Sequence, residues 1–120
     1  MTKVRGKRVF LSGPMTGKPA YGVAEFAAAH EKLVGMGAAM VYDPAYQWYV
    51  DMANGKPTLD HEEYMRRTLT ELAGAERDDG SRYYDVLVQL PEWYDSDGAK
   101  VECDVASAIG IEVCELEEVE

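Results

Sequence analysis

The stretch DVLVQLPEWYDSDGAKVECDVASAIGIEVC, residues 85–114, contains the pattern that decides the fold. It opens on an apolar run at residues 85–90 that a proline ends, which is typical of a buried strand. Residues 98–109 then repeat apolar side chains with a helical period, and Ser96 or Asp97 precedes them as a helix cap. A second apolar run follows at residues 111–114. The order strand, helix, strand predicts two parallel strands joined by a crossover helix.

The same alternation occurs in the amino-terminal part of the chain. Strands are predicted at residues 8–12 and 38–42, and helices at residues 22–36 and 60–73, the last capped by Asp60 with Glu63 as its capping-box partner. Residues 45–59, which are rich in aromatics, and the charged residues 74–83 are predicted to be loops. This alternation favours a Rossmann-like α/β fold, a three-layer sandwich with a mostly parallel sheet of four to five strands and helices on both faces. The length of 120 residues predicts a single domain spanning 1–120.

Composition and charge exclude several classes of protein. The chain is 47% hydrophobic and 28% charged, which is ordinary for a globular domain. Its net charge of -10 argues against a nucleic acid polymer or an anionic membrane as partner, because both require a positive surface. The two cysteines, Cys103 and Cys114, lack the spacing of a disulfide framework or a zinc site. With no apolar run of membrane-spanning length and no signal-peptide pattern, the chain is predicted to be cytoplasmic.

A glycine-rich segment follows the first predicted strand, at the edge where open α/β sheets bind their ligands. It reads Ser12-Gly13-Pro14-Met15-Thr16-Gly17-Lys18 and combines backbone amides, hydroxyls and a cation. These are the groups that cradle a phosphate. The segment does not match the Walker A motif, and a plain strand-to-helix turn would have a similar composition. The sequence therefore leaves open a phosphate cradle and a structural turn.

Glu102 is the most unusual residue of the third predicted helix. At ~100° per residue, one face carries Lys100, Cys103, Asp104 and Ser107, and the opposite apolar arc carries Val101, Val105, Ala108 and Ile109, with Ala99 and Ala106 at its margin. Glu102 falls inside the apolar arc. A carboxylate on the inward face of a helix costs free energy unless it has a partner or a function. The pattern fits a functional carboxylate and a salt-bridged structural glutamate equally well.

The second predicted helix places His61, Met65, Thr68, Leu69 and Leu72 on one inward arc. We interpret His61 as a hydrogen-bonded packing residue, which is the commoner role of a lone histidine in such a stripe. Arg66 and Arg67 are interpreted as part of a solvated face. No cluster of histidine and carboxylate residues has metal-ligand spacing, so no metal is predicted.

Three segments together match the pattern of a known family: FLSGPMTGKP at residues 10–19, HEEYMRR at residues 61–67 and LPEWYDSDGAKVECDVASAIGIEV at residues 90–113. They resemble the nucleoside 2-deoxyribosyltransferase-like proteins. Their order agrees with the family over nearly the whole chain, with residues 74–83 as an insertion. The most similar branch consists of small proteins common in bacteriophages and bacteria. The resemblance implies a Rossmann-like sheet in a homodimer or a higher homo-oligomer.

The resemblance also implies a chemistry. In active members a glutamate on the last helix attacks C1′ of a 2′-deoxynucleoside, and Glu102 occupies this position, preceded by Ser96, Gly98 and Ala99. Ser96 and Gly98 are expected to contact the substrate. The loop after the first strand then holds the sugar or a 5′-phosphate, a role that the resemblance assigns to Ser12, Gly13, Met15, Thr16 and Gly17. The chemistry requires no metal and no organic cofactor.

One position departs from the family, which usually has an aspartate after two arginines. Here Thr68 follows Arg66 and Arg67. Thr68 is expected to face the substrate, but a hydroxyl can neither carry charge nor act as an acid at neutral pH. Asp95 or Asp97, in the loop before the last helix, is expected to protonate the departing base instead.

The sequence and the resemblance together predict an enzyme that cleaves the N-glycosidic bond of 2′-deoxynucleosides or their 5′-monophosphates. A covalent deoxyribosyl ester on Glu102 would pass to water in a hydrolase or to a second base in a transferase. The alternative, motivated by Thr68, is a non-catalytic protein that binds or sequesters a nucleotide. In both cases the partner is a small-molecule nucleoside or nucleotide.

Overall fold

Four parallel strands form the central sheet of the computed structural model, which describes residues 1–56 and 60–120. The strands are β1 (Arg8–Ser12), β2 (Met40–Tyr42), β3 (Val86–Gln89) and β4 (Glu112–Glu115), in the order β2-β1-β3-β4. The helices are α1 (Val23–Gly35), α2 (Pro44–Ala53), α3 (His61–Gly74) and α4 (Asp97–Ala108), with short 3-10 turns at Pro19–Gly22, Trp93–Asp95 and Leu116–Glu118. This architecture confirms the predicted Rossmann-like α/β fold.

Helices cover both faces of the sheet. One face packs against α1 through a cluster that includes Val9, Leu11, Val86, Val88, Phe26 and Leu33. The opposite face packs against α3 and α4 through Phe10, Leu87, Leu72 and Ala106. Successive residues of a strand point to opposite faces, so two covered faces require the continuous apolar runs seen in β1 and β3.

The prediction of a loop over residues 45–59 is wrong for residues 45–53, which belong to α2. Residues 57–59 of that range lie outside the described residues. Asp43 caps this helix, because its Oδ1 accepts a hydrogen bond from the backbone N–H of Tyr46 at 3.0 Å. Pro44 stands in the first turn, where its missing N–H costs nothing. An aspartate followed by a proline therefore begins a helix here.

The loop predicted over residues 74–83 is confirmed for residues 75–83. α3 ends at Gly74, and an isolated antiparallel bridge between Glu76 and Arg82 closes a turn beyond it. Arg77 Nη2 lies 2.6 Å from Asp85 Oδ1, so the turn is tied to the residue before β3. Within the described part of the chain, no helix is both long and apolar enough to cross a membrane.

The strand order creates a topological switch point between β1 and β3. After β1 the chain turns to α1 on one face of the sheet, and after β3 it turns to α4 on the other. The two strands are neighbours, with Ser12 opposite Gln89 at their carboxyl ends. Because the connections diverge there, a cleft opens between them, which is where open α/β sheets bind ligands.

Candidate active site at the carboxyl edge of the sheet

Glu102 lies on α4 with its carboxyl group against the end of β1. It is 5% exposed, and Ser12 Oγ donates a hydrogen bond to its Oε1 at 2.7 Å. Burial raises the pKa of Glu102 to about 7, because the ionised form loses its hydration. The carboxyl group is thus held in one orientation and changes charge near neutral pH.

Thr68 provides the second hydroxyl beside Glu102. It is buried on α3, and its hydroxyl lowers the pKa of Glu102, as that of Ser12 does, which offsets part of the effect of burial. Thr68 Oγ1 also lies 3.3 Å from the carbonyl oxygen of Met65, a long distance for a hydroxyl donor. The Thr68 proton is therefore only weakly held by the backbone and is free to turn toward the carboxylate.

No ion pair among the described residues includes Glu102. A structural glutamate at this depth would normally be paired with a lysine or arginine, because two hydroxyls replace only part of the lost hydration. The buried carboxylate is only partly compensated by these hydroxyls, so its ionised form lowers the stability of the fold. A side chain that is retained despite such a cost is typical of a catalytic or binding site.

Tyr64 is a site residue that the sequence analysis missed. Its hydroxyl donates to the sulfur of Met15, and burial raises the pKa of Tyr64, with the nearby Glu102 carboxylate raising it further. Tyr64 precedes Thr68 by four residues, so the two side chains share one face of α3. This spacing could have identified it, since the inward arc of the helix continues through position 64.

Glu102 opens onto a cavity of ≈ 410 Å³ at the switch point. Its lining includes eight of the predicted site residues: Gly13, Met15, Thr16, Asp95, Ser96, Asp97, Gly98 and Glu102. Ser12 is fully buried, contacts Glu102 and does not belong to the described lining of either cavity, whereas Thr68 lines an adjoining cavity. Gly17 lies outside the described lining of both cavities. The fold therefore brings together residues from three separate segments of the sequence.

The loop after β1 passes very close to the end of β3. A Cβ atom at Gly13 would lie 2.8 Å from Leu90 Cβ, which is closer than real side chains approach. The loop that lines the cavity can therefore take this path only with glycine at position 13.

We expect Gly13→Ala to lower the free energy of unfolding by about 1–3 kcal/mol, because the added methyl group must displace the loop or Leu90. Urea unfolding measures the change. Gly35→Ala is the matched control, since nothing lies within 4 Å of its Cβ position and alanine suits a helix. Equal stability of the two variants would contradict the close packing at Gly13.

The first turn of α4 faces the same cavity. Ser96 caps the helix by accepting a hydrogen bond from the backbone N–H of Ala99 at 3.1 Å. A Cβ atom at Gly98 would lie 2.9 Å from Met65 Sδ, so glycine allows α4 to approach α3. The Asp97 side chain is 92% exposed and its Oδ1 lies 3.3 Å from Lys100 Nζ. Asp97 is therefore directed toward solvent; Asp95 is exposed as well, and both predicted acids line the cavity.

The apolar arc predicted for α4 is partly wrong. Ala99, Glu102 and Ala106 form the buried stripe, whereas Val101 and Ile109 are exposed. The stripe follows the spacing i, i+3 and i+7, and its two alanines allow the helix to lie close to the sheet. The inward position of Glu102 is confirmed, but its neighbours on the buried face are alanines.

Two other interpretations from the sequence need correction. His61 does not pack inside the protein: it is exposed, and it lines both cavities where they adjoin. Lys18 does not line either described cavity. Its Nζ lies 2.6 Å from Glu92 Oε2, in an ion pair between the loops that follow β1 and β3. The ammonium group that the sequence suggested for binding a phosphate is thus paired with a carboxylate instead.

The fold and the site together define a class: a Rossmann-like α/β protein with a buried carboxylate at the floor of a cavity at its switch point. The chain belongs to the family described as "Domain of unknown function (DUF4406)", which matches residues 7–115. Searches of curated proteins and of solved structures found no match.

Proposed function

We propose that the chain cleaves the N-glycosidic bond of 2′-deoxynucleosides or of their 5′-monophosphates, with Glu102 as nucleophile. The observation that carries the proposal is the Glu102 carboxyl group, which is buried, unpaired with any described cation and held by Ser12 at the floor of a cavity. The resemblance to nucleoside 2-deoxyribosyltransferase-like proteins supports it, since the family places its nucleophile at this position of the last helix.

The reaction would proceed in two steps at C1′ of the sugar. A carboxylate oxygen of Glu102 forms a bond to C1′ while the bond from C1′ to the base nitrogen breaks and its electron pair leaves with the base. Asp95, at the rim of the cavity, would supply a proton to the departing base. Water, or a nitrogen atom of a second base, then attacks C1′ and releases the Glu102 carboxylate.

The environment of Glu102 suits this chemistry in two ways. A pKa of about 7 leaves a large share of the carboxyl group ionised near neutral pH, and a more basic carboxylate is a better nucleophile. The bond from Ser12 fixes the carboxyl group, so little entropy is lost as it attacks. We also expect a homodimer or a higher homo-oligomer, as the resemblance implies, and a cytoplasmic location.

Base release from a panel of substrates tests the proposal. The four 2′-deoxynucleosides and their 5′-monophosphates are incubated with the protein, and free base is followed by chromatography. We expect at least one substrate to lose its base. We expect no preference for monophosphates over nucleosides, because the Lys18 ammonium group is paired with Glu92. No release from any substrate over a long incubation at high protein concentration would overturn the proposal.

Thr68 favours a second candidate function, a non-catalytic nucleotide-binding protein. It is buried beside Glu102, at the position where the resembling family usually has a carboxylate. A protein of this kind would show a rise in melting temperature with a nucleoside or nucleotide and no base release. Thr68→Asp would then be expected to introduce cleavage, since it restores the missing acid.

A further inference from the structure

A second cavity of ≈ 290 Å³ adjoins the one that contains Glu102. The two share five lining residues, Met15, Thr16, Pro44, His61 and Tyr64. The second cavity extends away from Glu102 between α2 and α3. A ligand with its reacting atom at Glu102 could therefore extend its remaining part into this space.

The walls of the second cavity are aromatic. Tyr21, Tyr42 and Trp48 line it, and the rings of Tyr21 and Trp48 lie 4.7 Å apart between centroids at 56° to each other. Flat aromatic surfaces bind planar heteroaromatic rings by stacking, and they do so for any base. The walls thus favour a planar ring and leave its identity to the polar groups.

A donor and an acceptor stand side by side at another part of the lining. Arg67 Nη1 lies 3.8 Å from Asp51 Oδ2, too far for a hydrogen bond. The other carboxylate oxygen, Asp51 Oδ1, accepts from Gln47 Nε2 at 3.1 Å and lies 3.6 Å from Lys56 Nζ. The Arg67 side chain is 54% exposed. The guanidinium and one carboxylate oxygen are therefore available to a ligand, as adjacent donor and acceptor.

We propose that this cavity is the base subsite and that it selects a base with a carbonyl oxygen next to a ring N–H, such as guanine or thymine, over adenine and cytosine. The inference rests on the proposed function, because it takes the cavity at Glu102 as the site of the sugar. In such a base the carbonyl oxygen matches Arg67 as donor, and the neighbouring ring N–H matches Asp51 as acceptor. Adenine would present its amino group to the guanidinium, donor against donor.

Binding to the Glu102→Gln variant, which is expected to bind nucleosides without cleaving them, tests the selectivity. Isothermal titration with 2′-deoxyguanosine, 2′-deoxyadenosine and 2′-deoxycytidine should give a Kd for 2′-deoxyguanosine at least roughly tenfold lower than for the others, since a site built for a polar edge rejects ligands that leave its groups unpaired. Adding Asp51→Asn should raise that Kd by roughly tenfold, because the acceptor oxygen is partly replaced by a donor.

Two further variants separate the subsite from general damage. Asp104→Asn removes the same charge from the exposed face of α4 and should leave binding unchanged. Arg67→Gln alters a half-exposed side chain and should weaken 2′-deoxyguanosine binding but not 2′-deoxyadenosine binding, even if Asp51→Asn proves unstable.

Equal binding of 2′-deoxyguanosine and 2′-deoxyadenosine, or unchanged selectivity in Arg67→Gln, would overturn the inference. Its failure is distinguishable from failure of the proposed function. Base release without base selectivity would refute only the subsite, whereas selective binding without base release from any substrate would refute only the catalysis.

Discussion

Glu102→Gln is expected to lower base release by at least ~10⁴-fold, because the amide cannot act as nucleophile at C1′. The substitution keeps the size of the side chain, and its amide oxygen can still accept the hydrogen bond from Ser12. Nucleoside binding should therefore persist while turnover is lost. Chromatography of the free base over matched incubations measures the effect.

The matched control for this experiment is Glu31→Gln. Glu31 is an exposed glutamate on α1, so its substitution changes the net charge equally without touching the cavity. Mass spectrometry of acid-quenched wild type should also show a deoxyribosyl adduct on Glu102. A Glu102→Gln variant that retained release within about tenfold of wild type would refute the assignment of the nucleophile.

The sheet could be predicted from the sequence because burial on both faces leaves a direct trace in it. β1 and β3 are covered by α1 on one side and by α3 and α4 on the other, so every position in their centres must be apolar. α2 left no such trace. Its outward residues Tyr46 and Tyr49 are 59% and 55% exposed, while Trp48 on the same short helix lines a cavity. Aromatic side chains on both faces remove the contrast from which helical periodicity is recognised.

The candidate site also has one part that could be predicted from the sequence and one part that could not. Glu102 stood out because an acid among apolar neighbours violates a local pattern, and its inward position is confirmed. The second cavity left no local signal. Asp51 and Arg67 lie on different helices, and only the packing of α2 beside α3 brings their side chains to 3.8 Å. Arg67 reads as an ordinary surface residue in the sequence because its partner is sixteen positions away.

The exposed part of α4 is a further consequence of the tertiary arrangement. Helical periodicity predicted that Val101 and Ile109 would be buried with Glu102, but only a narrow stripe of the helix meets the sheet. Periodicity gives the direction of the apolar face to within about one residue, or roughly 100°. Periodicity alone does not determine which side of the apolar face of α4 packs against the sheet.

The pH dependence of stability should identify Glu102 independently of any substrate. Its pKa is raised from 4.5 to about 7 in the folded protein, so between these values the folded state holds a proton that the unfolded state has released. The free energy of unfolding contributed by this group is therefore highest below about pH 4.5 and falls as the pH rises toward 7. A shift of this size corresponds to about 3 kcal/mol.

Glu102→Gln lacks this titration, so its stability relative to wild type should grow by about 3 kcal/mol between acid and neutral pH and then level off. Urea unfolding of both proteins from pH 4 to pH 8.5 measures the difference, in which the titrations of all other groups cancel. Parallel curves would mean that Glu102 titrates normally. Because the carboxylate must be ionised to attack, base release by wild type should rise over the pH range in which its relative stability falls. A rise at a different pH would place the activating proton on another group.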